Sequence, residues 1–144
     1  MDSEALKLEN QICFKMYTAE KEIMKMYRTL LGELDVTYSQ YLVLLVLWEK
    51  QASTVKELGE KLSLDSGTLT PMLKRMETHG LLTRKRSVED ERSVIIELTE
   101  KGETLKEKAE CIPSQLVGNL SLDLEDYKKL DELLTTFLKQ VKTK

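Results

Sequence analysis

Apolar residues at Ile12, Met16, Ala19, Ile23, Met26 and Leu30 alternate spacings of four and three, and residues 5 to 34 hold no glycine or proline before Gly32. That pattern predicts one long helix with a heptad-like apolar seam. From Tyr38 to Lys50 the chain is almost wholly apolar, which predicts a helix buried between others. Thr54-Val55-Lys56-Glu57 has the form of a capping box and opens a short helix through Leu58 and Leu62. The next helix starts near Asp65 or Ser66, both good N-cap residues. Leu69, Met72, Leu73 and Met76 form its inward stripe, and Gly80 is placed to end it in a left-handed C-cap. Two short strands follow, Leu81 to Arg86 and Ser93 to Leu98, with Val88 to Arg92 as the loop between them. Thr99 caps a fifth helix that runs to about Ile112 or a little past Pro113. The last helix sets Tyr127, Leu130, Leu134, Phe137, Leu138 and Val141 on one seam.

These elements predict a mainly α chain with a small β-hairpin, forming a single domain over residues 1 to 144 without internal repeats. A capped helix with small and basic residues on its outer side, followed by a basic hairpin, is the layout of a winged helix-turn-helix. Its DNA-binding lobe would span about residues 35 to 100. The terminal segments, about 5 to 34 and 103 to 142, carry the long seams and would form a dimerisation region. Palindromic DNA sites favour a two-fold homodimer, so double-stranded DNA with a palindromic operator and a second copy of the chain are the expected partners.

Composition narrows the class. A chain of 144 residues with 33% charged and 6% aromatic residues suits a soluble helical protein with a real core. Two prolines and six glycines argue against an all-β fold. The opening MDSEALKLEN lacks an apolar h-region, so no signal peptide is expected. The longest apolar run, Tyr41 to Trp48, is far short of the roughly 20 residues that span a bilayer. A cytoplasmic protein with no membrane partner follows as the expectation. In that compartment two cysteines are not expected to form a permanent disulfide. One histidine and two cysteines also fall short of a four-ligand zinc site, so no metal or cofactor is expected.

The net charge of −3 argues against nucleic acid until its distribution is read. Between Ser66 and Arg86, five cations (Lys74, Arg75, Arg84, Lys85, Arg86) face one acid, Glu77, a local +4 that leaves −7 for the rest. A basic patch on an acidic body binds phosphates locally. Ser66 opens the helix, and Thr68, Thr70, Pro71, Lys74 and Arg75 lie off its apolar stripe and face outward. Their hydroxyls can bond phosphates or base edges, Arg can reach guanine, and Pro or a Thr methyl can meet a thymine methyl. Gly67 removes a side chain where backbone must approach closely. Pro71 breaks the local rule against proline inside a helix. The competing reading, a solvated charged face, loses weight because capped helix, basic helix and basic hairpin occur in order. In the loop, Asp90 two residues before Arg92 could aim the guanidinium at a minor groove; a plain ion pair at the wing tip is the alternative.

DSGTLTPMLKRME followed by GLLTRKRSVEDERSVIIELTEKG resembles the MarR family of winged-helix repressors, with Asp90, Arg92 and Ser93 as its wing signature. The resemblance covers essentially the whole chain. It implies that the helix from Asp65 to His79 reads the major groove and that Arg92, held by Asp90, enters the minor groove. LENQICFKMY with Cys13, then Tyr27, then Tyr38 in DVTYSQYL, is similar to the organic-hydroperoxide-sensing OhrR branch. There an N-terminal cysteine thiolate is held by tyrosine hydroxyls, and Tyr17 also matches a tyrosine of that site.

Spacing adds an argument of its own. On one straight helix Cys13 and Tyr27 lie about 21 Å apart, so such a pair must form between two chains, whereas Tyr17 can reach Cys13 within one. The plain alternative for Cys13 is a small hydrophobe buried in a helix seam. Cys111, placed in the fifth helix, either resolves oxidised Cys13 of the other chain as a disulfide or is inert. The resemblance implies a non-enzymatic homodimeric repressor that senses organic hydroperoxide or oxidative stress through Cys13 and then releases its operator. A repressor released by a non-covalent small ligand is the alternative, and a thiol peroxidase the reading from another class.

Overall fold

The apolar segment at residues 38 to 50 is the centre of the fold. In a computed structural model that describes residues 3–142, it forms helix α2, Tyr38–Lys50, with Val43, Leu44 and Leu47 fully buried. Around it lie α1 (Ile12–Leu30), β1 (Ala52–Thr54), α3 (Val55–Leu62), α4 (Ser66–Thr78), β2 (Leu82–Arg86), β3 (Val94–Leu98), α5 (Glu100–Ala109), α6 (Ile112–Asn119) and α7 (Leu124–Lys142). One core joins α2 to Leu58 of α3, to Leu69, Met72, Leu73 and Met76 of α4, and to Leu82 and Ile96 of the sheet. At about 1.5–3 kcal/mol for each large aliphatic side chain fully buried, this cluster fixes how α4 and the sheet sit. A second cluster gathers Leu31, Leu34, Tyr41, Ala109 and Ile112, with Tyr27, Tyr38 and Trp48 packed on it. Both clusters draw on α2, which therefore links two halves of the molecule.

Local chemistry sets the helix ends. The Asp65 carboxylate accepts the Thr68 N–H at 2.7 Å and starts α4. Gly80, at φ +80°, ends it: the Leu81 N–H reaches back to the Met76 carbonyl at 3.0 Å. That is the left-handed stop expected of glycine there. The Thr99 hydroxyl accepts the Gly102 N–H at 3.1 Å and donates to the Gly80 carbonyl, tying the start of α5 to the end of α4. A full capping box forms at Thr37 and Gln40, ahead of α2, where the sequence reading placed none. At Thr54 only half of the expected box is made. Its hydroxyl accepts the Glu57 N–H, while the Glu57 carboxylate takes the Ser53 hydroxyl instead.

Three boundaries differ from the sequence-based expectation. The first helix begins at Ile12, not near residue 5. The chain before it makes two short 3-10 turns stitched by the Asn10 and Gln11 side-chain amides to backbone carbonyls of residues 4, 5 and 7. The fifth helix stops at Ala109, and a separate α6 starts at Ile112 with Pro113 in its first turn, where a missing N–H costs nothing. The hairpin is part of a three-stranded antiparallel sheet of order β1-β3-β2, with Ser53 opposite Ile96 and Arg84 opposite Ile96 on the other side. Three residues are too few for an alternating pattern to reveal β1.

No residue of α1 or α7 is buried. Ile12, Phe14, Met16 and Tyr17 on α1 are exposed, as are Leu130, Leu134, Phe137, Leu138 and Val141 on α7. The two long seams read from the sequence are therefore present and unfilled within one chain. No described helix is long and apolar enough to cross a membrane.

Candidate functional site

The inward stripe of α4 turns its other face to solvent. Ser66, Gly67, Thr68, Pro71, Lys74 and Arg75 are exposed and Thr70 is half-buried. Beside this face stands the wing, where β2 pairs with β3 from Leu82–Leu98 to Arg86–Val94. Between wing, α3 and α4 lies a groove of about 650 Å³ lined in part by Ser66, Thr70, Arg84, Asp90, Arg92 and Ser93. Helix face and wing loop thus open onto one surface that carries exposed cations, the charge a phosphate backbone attracts.

The wing residues divide into two groups. The Asp90 carboxylate accepts the Arg92 backbone N–H at 3.0 Å and the Ser93 hydroxyl at 3.3 Å, and the Ser93 N–H donates to the Asp90 carbonyl at 2.9 Å. The Ser87 hydroxyl accepts the N–H groups of Glu89 and Asp90. Asp90 therefore shapes the turn and presents Arg92 through its backbone, where the sequence reading expected a grip on the guanidinium itself. The Arg92 guanidinium is exposed and has no carboxylate among the described residues. Arg86 donates to the Glu91 carbonyl at 3.1 Å, which leaves its charge unneutralised at the wing edge.

Arg84 behaves differently. Glu77 of α4 accepts both its backbone N–H, at 2.9 Å, and its Nε, at 3.4 Å. The pair ties β2 to α4 and spends the Arg84 charge inside the protein, so Arg84 is a brace more than a free cation. Lys74, Arg75, Lys85, Arg86 and Arg92 carry the unpaired charge of the surface. The sequence pattern placed Lys74, Arg75, Arg84, Lys85 and Arg86 in one basic segment, but only the fold separates the braced arginine from the free ones.

At the other end of the molecule, Cys13 is the second residue of α1 and is exposed. Gln11, at the N-cap, offers no side-chain bond to the first turn, so the N–H groups around Cys13 have no side-chain cap. A buried-seam role within one chain does not describe Cys13. Tyr17 lies on the same face, with its ring under the Lys21 ammonium at 4.2 Å and 6.4 Å from the Phe14 ring. Tyr27, near the far end of the same continuous helix, stacks on Tyr38 with ring centroids 4.5 Å apart. Tyr41, which the sequence reading did not single out, completes the cluster at 5.9 Å from Tyr27 and leans on Trp48. It belongs to the apolar run of α2, where spacing gives no sign of a site.

Burial and the neighbouring phenols Tyr38, Tyr41 and Tyr127 push Tyr27 up to about 12, and burial raises Tyr38 as well. Both phenols are therefore neutral O–H donors across ordinary pH. Cys111 is exposed in the junction between α5 and α6, not inside the fifth helix. The next residue, Ile112, is buried in the cluster on which Tyr27 and Tyr38 pack. Cys111 thus adjoins a residue of the cluster on which the tyrosine pair packs, whereas Cys13 lies a helix length from Tyr27.

The family model described as transcriptional regulator SarA/Rot matches residues 25–109. The chain is 56% identical to the organic hydroperoxide resistance transcriptional regulator of Bacillus subtilis (strain 168), covering 96% of this chain and 95% of that one. Among solved structures it is similar to reduced AbfR bound to DNA, with 39% identity, 98% and 99% coverage and a TM-score of 0.78. AbfR, from Staphylococcus epidermidis, has also been solved with its disulfide formed, which this chain matches at a TM-score of 0.67 and 37% identity over 99% and 97%. A mutant MarR from E. coli complexed with operator DNA matches with 25% identity, 96% and 99% coverage and a TM-score of 0.84.

Proposed function

Because the chain belongs to the MarR family of winged-helix transcriptional regulators, on its organic-hydroperoxide branch, we propose that it is a homodimeric repressor that leaves its operator when Cys13 is oxidised. The observation that carries the reading is the split site. An exposed thiol begins α1 and a stacked, neutral tyrosine pair closes its far end, about 21 Å away at the rise of an α-helix. Only a second copy brings these groups together, and the bare seams of α1 and α7 are the surfaces it would cover.

In the reduced dimer, Cys13 of one protomer accepts hydrogen bonds from Tyr27 and Tyr38 of its partner, with Tyr17 reaching from its own chain. The thiolate attacks the outer oxygen of an organic hydroperoxide, the O–O bond breaks, and sulfenic acid forms while the departing alkoxide takes a proton from water to leave as an alcohol. The hydrogen bonds that the sulfur accepted are lost, and the interface repacks. Cys111 supports a second step. It stands one residue from the cluster beneath Tyr27 and Tyr38, so Cys13 arriving from the other chain meets a thiol that can condense with its sulfenic acid, releasing water. Repacking alters the spacing of the two α4 helices, which must match major grooves roughly 34 Å apart. A loss of a few phosphate contacts then lowers affinity by orders of magnitude.

The test is fluorescence anisotropy of the reduced protein on DNA from upstream of its own gene, with cumene hydroperoxide titrated in. Wild type is expected to dissociate near one equivalent per chain while Cys13→Ser stays bound. Release of both variants alike would remove Cys13 from the mechanism, whereas both staying bound would favour a repressor released by a non-covalent ligand.

A further inference from the structure

Two residues of α4 contradict the element they occupy. Gly67 and Pro71 are the two poorest helix formers, they lie four residues apart, and both are inside the helix. Neither is required by packing. Pro71 is exposed, and a Cβ added at Gly67 would meet, beyond its chain neighbours and its own helix backbone, only the Asp65 carboxylate, at 3.3 Å. Gly67 is not among the residues with positive φ, so no turn demands a glycine either. The conflict falls on the exposed face beside the wing groove, where local rules are broken for function more often than for folding.

The two residues are one device. In an α-helix the carbonyl of residue 67 would accept the N–H of residue 71, but proline has none. The Gly67 carbonyl therefore lacks the donor four residues on that an α-helix would give it, and a proline there generally bends a helix so that such a carbonyl turns toward the open side. Glycine at that position leaves no side chain to hold a ligand off. A lone acceptor on a groove-reading helix needs a donor, and in the major groove the base-edge donors are the exocyclic amines, N6 of adenine and N4 of cytosine.

We infer that the Gly67 carbonyl, released by Pro71, reads an exocyclic amine on one base of each half-site. Backbone readout of this kind is insensitive to side-chain rotamers and places the helix axis close to the base edge. The proposal rests on the DNA-binding reading above.

The experiment begins with selection of a tight duplex from random sequence by the reduced wild-type protein. In that duplex each adenine is then replaced in turn by purine, and each cytosine by 2-pyrimidinone, which deletes only the amine. Wild type is expected to lose about tenfold in affinity at one position per half-site, the scale of a single mismatched pair. Pro71→Ala, which restores the N–H, is expected to fold with a raised melting temperature, to bind the parent duplex about tenfold more weakly, and to be indifferent to the amine at that same position. Gly67→Ala, whose methyl blocks the approach, should show the same indifference. Purine against 2-pyrimidinone tells adenine from cytosine. Equal loss by wild type and both variants at every position would overturn the carbonyl contact while leaving DNA binding intact. Failure of the selection to yield any preferred duplex would instead remove the DNA-reading premise.

Discussion

Asp90 and Arg92 show how a single residue's role depends on which of its atoms is bonded. With its carboxylate on the Arg92 backbone N–H and the Ser93 hydroxyl, Asp90 sets the turn and leaves the guanidinium free. Arg92→Ala is expected to weaken operator binding about tenfold and to lower the slope of log affinity against log salt by about 2, the loss of one phosphate-region contact from each chain of the proposed dimer. Its reaction with hydroperoxide, followed as loss of free thiol, should be unchanged. An equal slowing of thiol loss would undo the separation of wing and sensor. Tyr27 offers a pH signature. Its folded-state value of about 12 lies above the ordinary 10, so the folded chain favours the neutral phenol. That preference stabilises fully below pH 10 and is lost as pH rises toward 12. Urea unfolding of wild type should lose stability across that window, and Tyr27→Phe should show a flatter profile. The residue types at both sites were legible in the sequence, because acid, base, thiol and phenol chemistry is written in the side chains. What Asp90 actually grips was not, since a two-residue spacing is equally compatible with a bond to backbone or to guanidinium.

At the scale of elements, the joints between helices carry the most information. The start of α5 presses on the turn between α4 and β2 so closely that a Cβ on Gly102 would overlap the Leu81 carbonyl and crowd Leu98. Gly102→Ala must push α5 off the sheet, and we expect a loss of about 1–3 kcal/mol, read by chemical denaturation, the range for overpacking a tight contact. A wild-type midpoint in that variant would show the joint to be slack. Periodicity found every long helix, since seams at Ile12 to Leu30 and Tyr127 to Val141 repeat over several turns. It missed β1 and the break at residues 110 and 111. Both are short, and both are set by contacts distant in sequence: pairing of Ser53 with Ile96, and burial of Ala109 and Ile112 beside Leu31 and Tyr41.

For the whole molecule the decisive feature is surface that one chain leaves uncovered. Leu134 and Phe137 lie on the bare stripe of α7. If the wild type sediments as the proposed dimer, Leu134→Asp with Phe137→Asp is expected to sediment as a monomer. It should also abolish operator binding, because a single half-site supplies too few contacts. A dimeric, DNA-binding double variant would place the interface elsewhere and with it the proposed meeting of Cys13 with Tyr27 and Tyr38. The two clusters that share α2 give the route by which that interface would reach the DNA: the tyrosine cluster rests on one part of the helix and the α4 core on another.

The sequence by itself determined the helices with long apolar seams, the wing, the basic segment and the thiol with its matching tyrosines. These depend on periodicity, capping chemistry and side-chain type, all local properties of the chain. The tertiary structure decided which arginine is a brace and which is free, that Tyr41 joins Tyr27 and Tyr38, and that exposed Cys13 and half-buried Tyr27 stand at opposite ends of one helix, with Tyr38 of α2 stacked on Tyr27. Those outcomes turn on which distant groups come within bonding distance, and no local pattern records a distance through space.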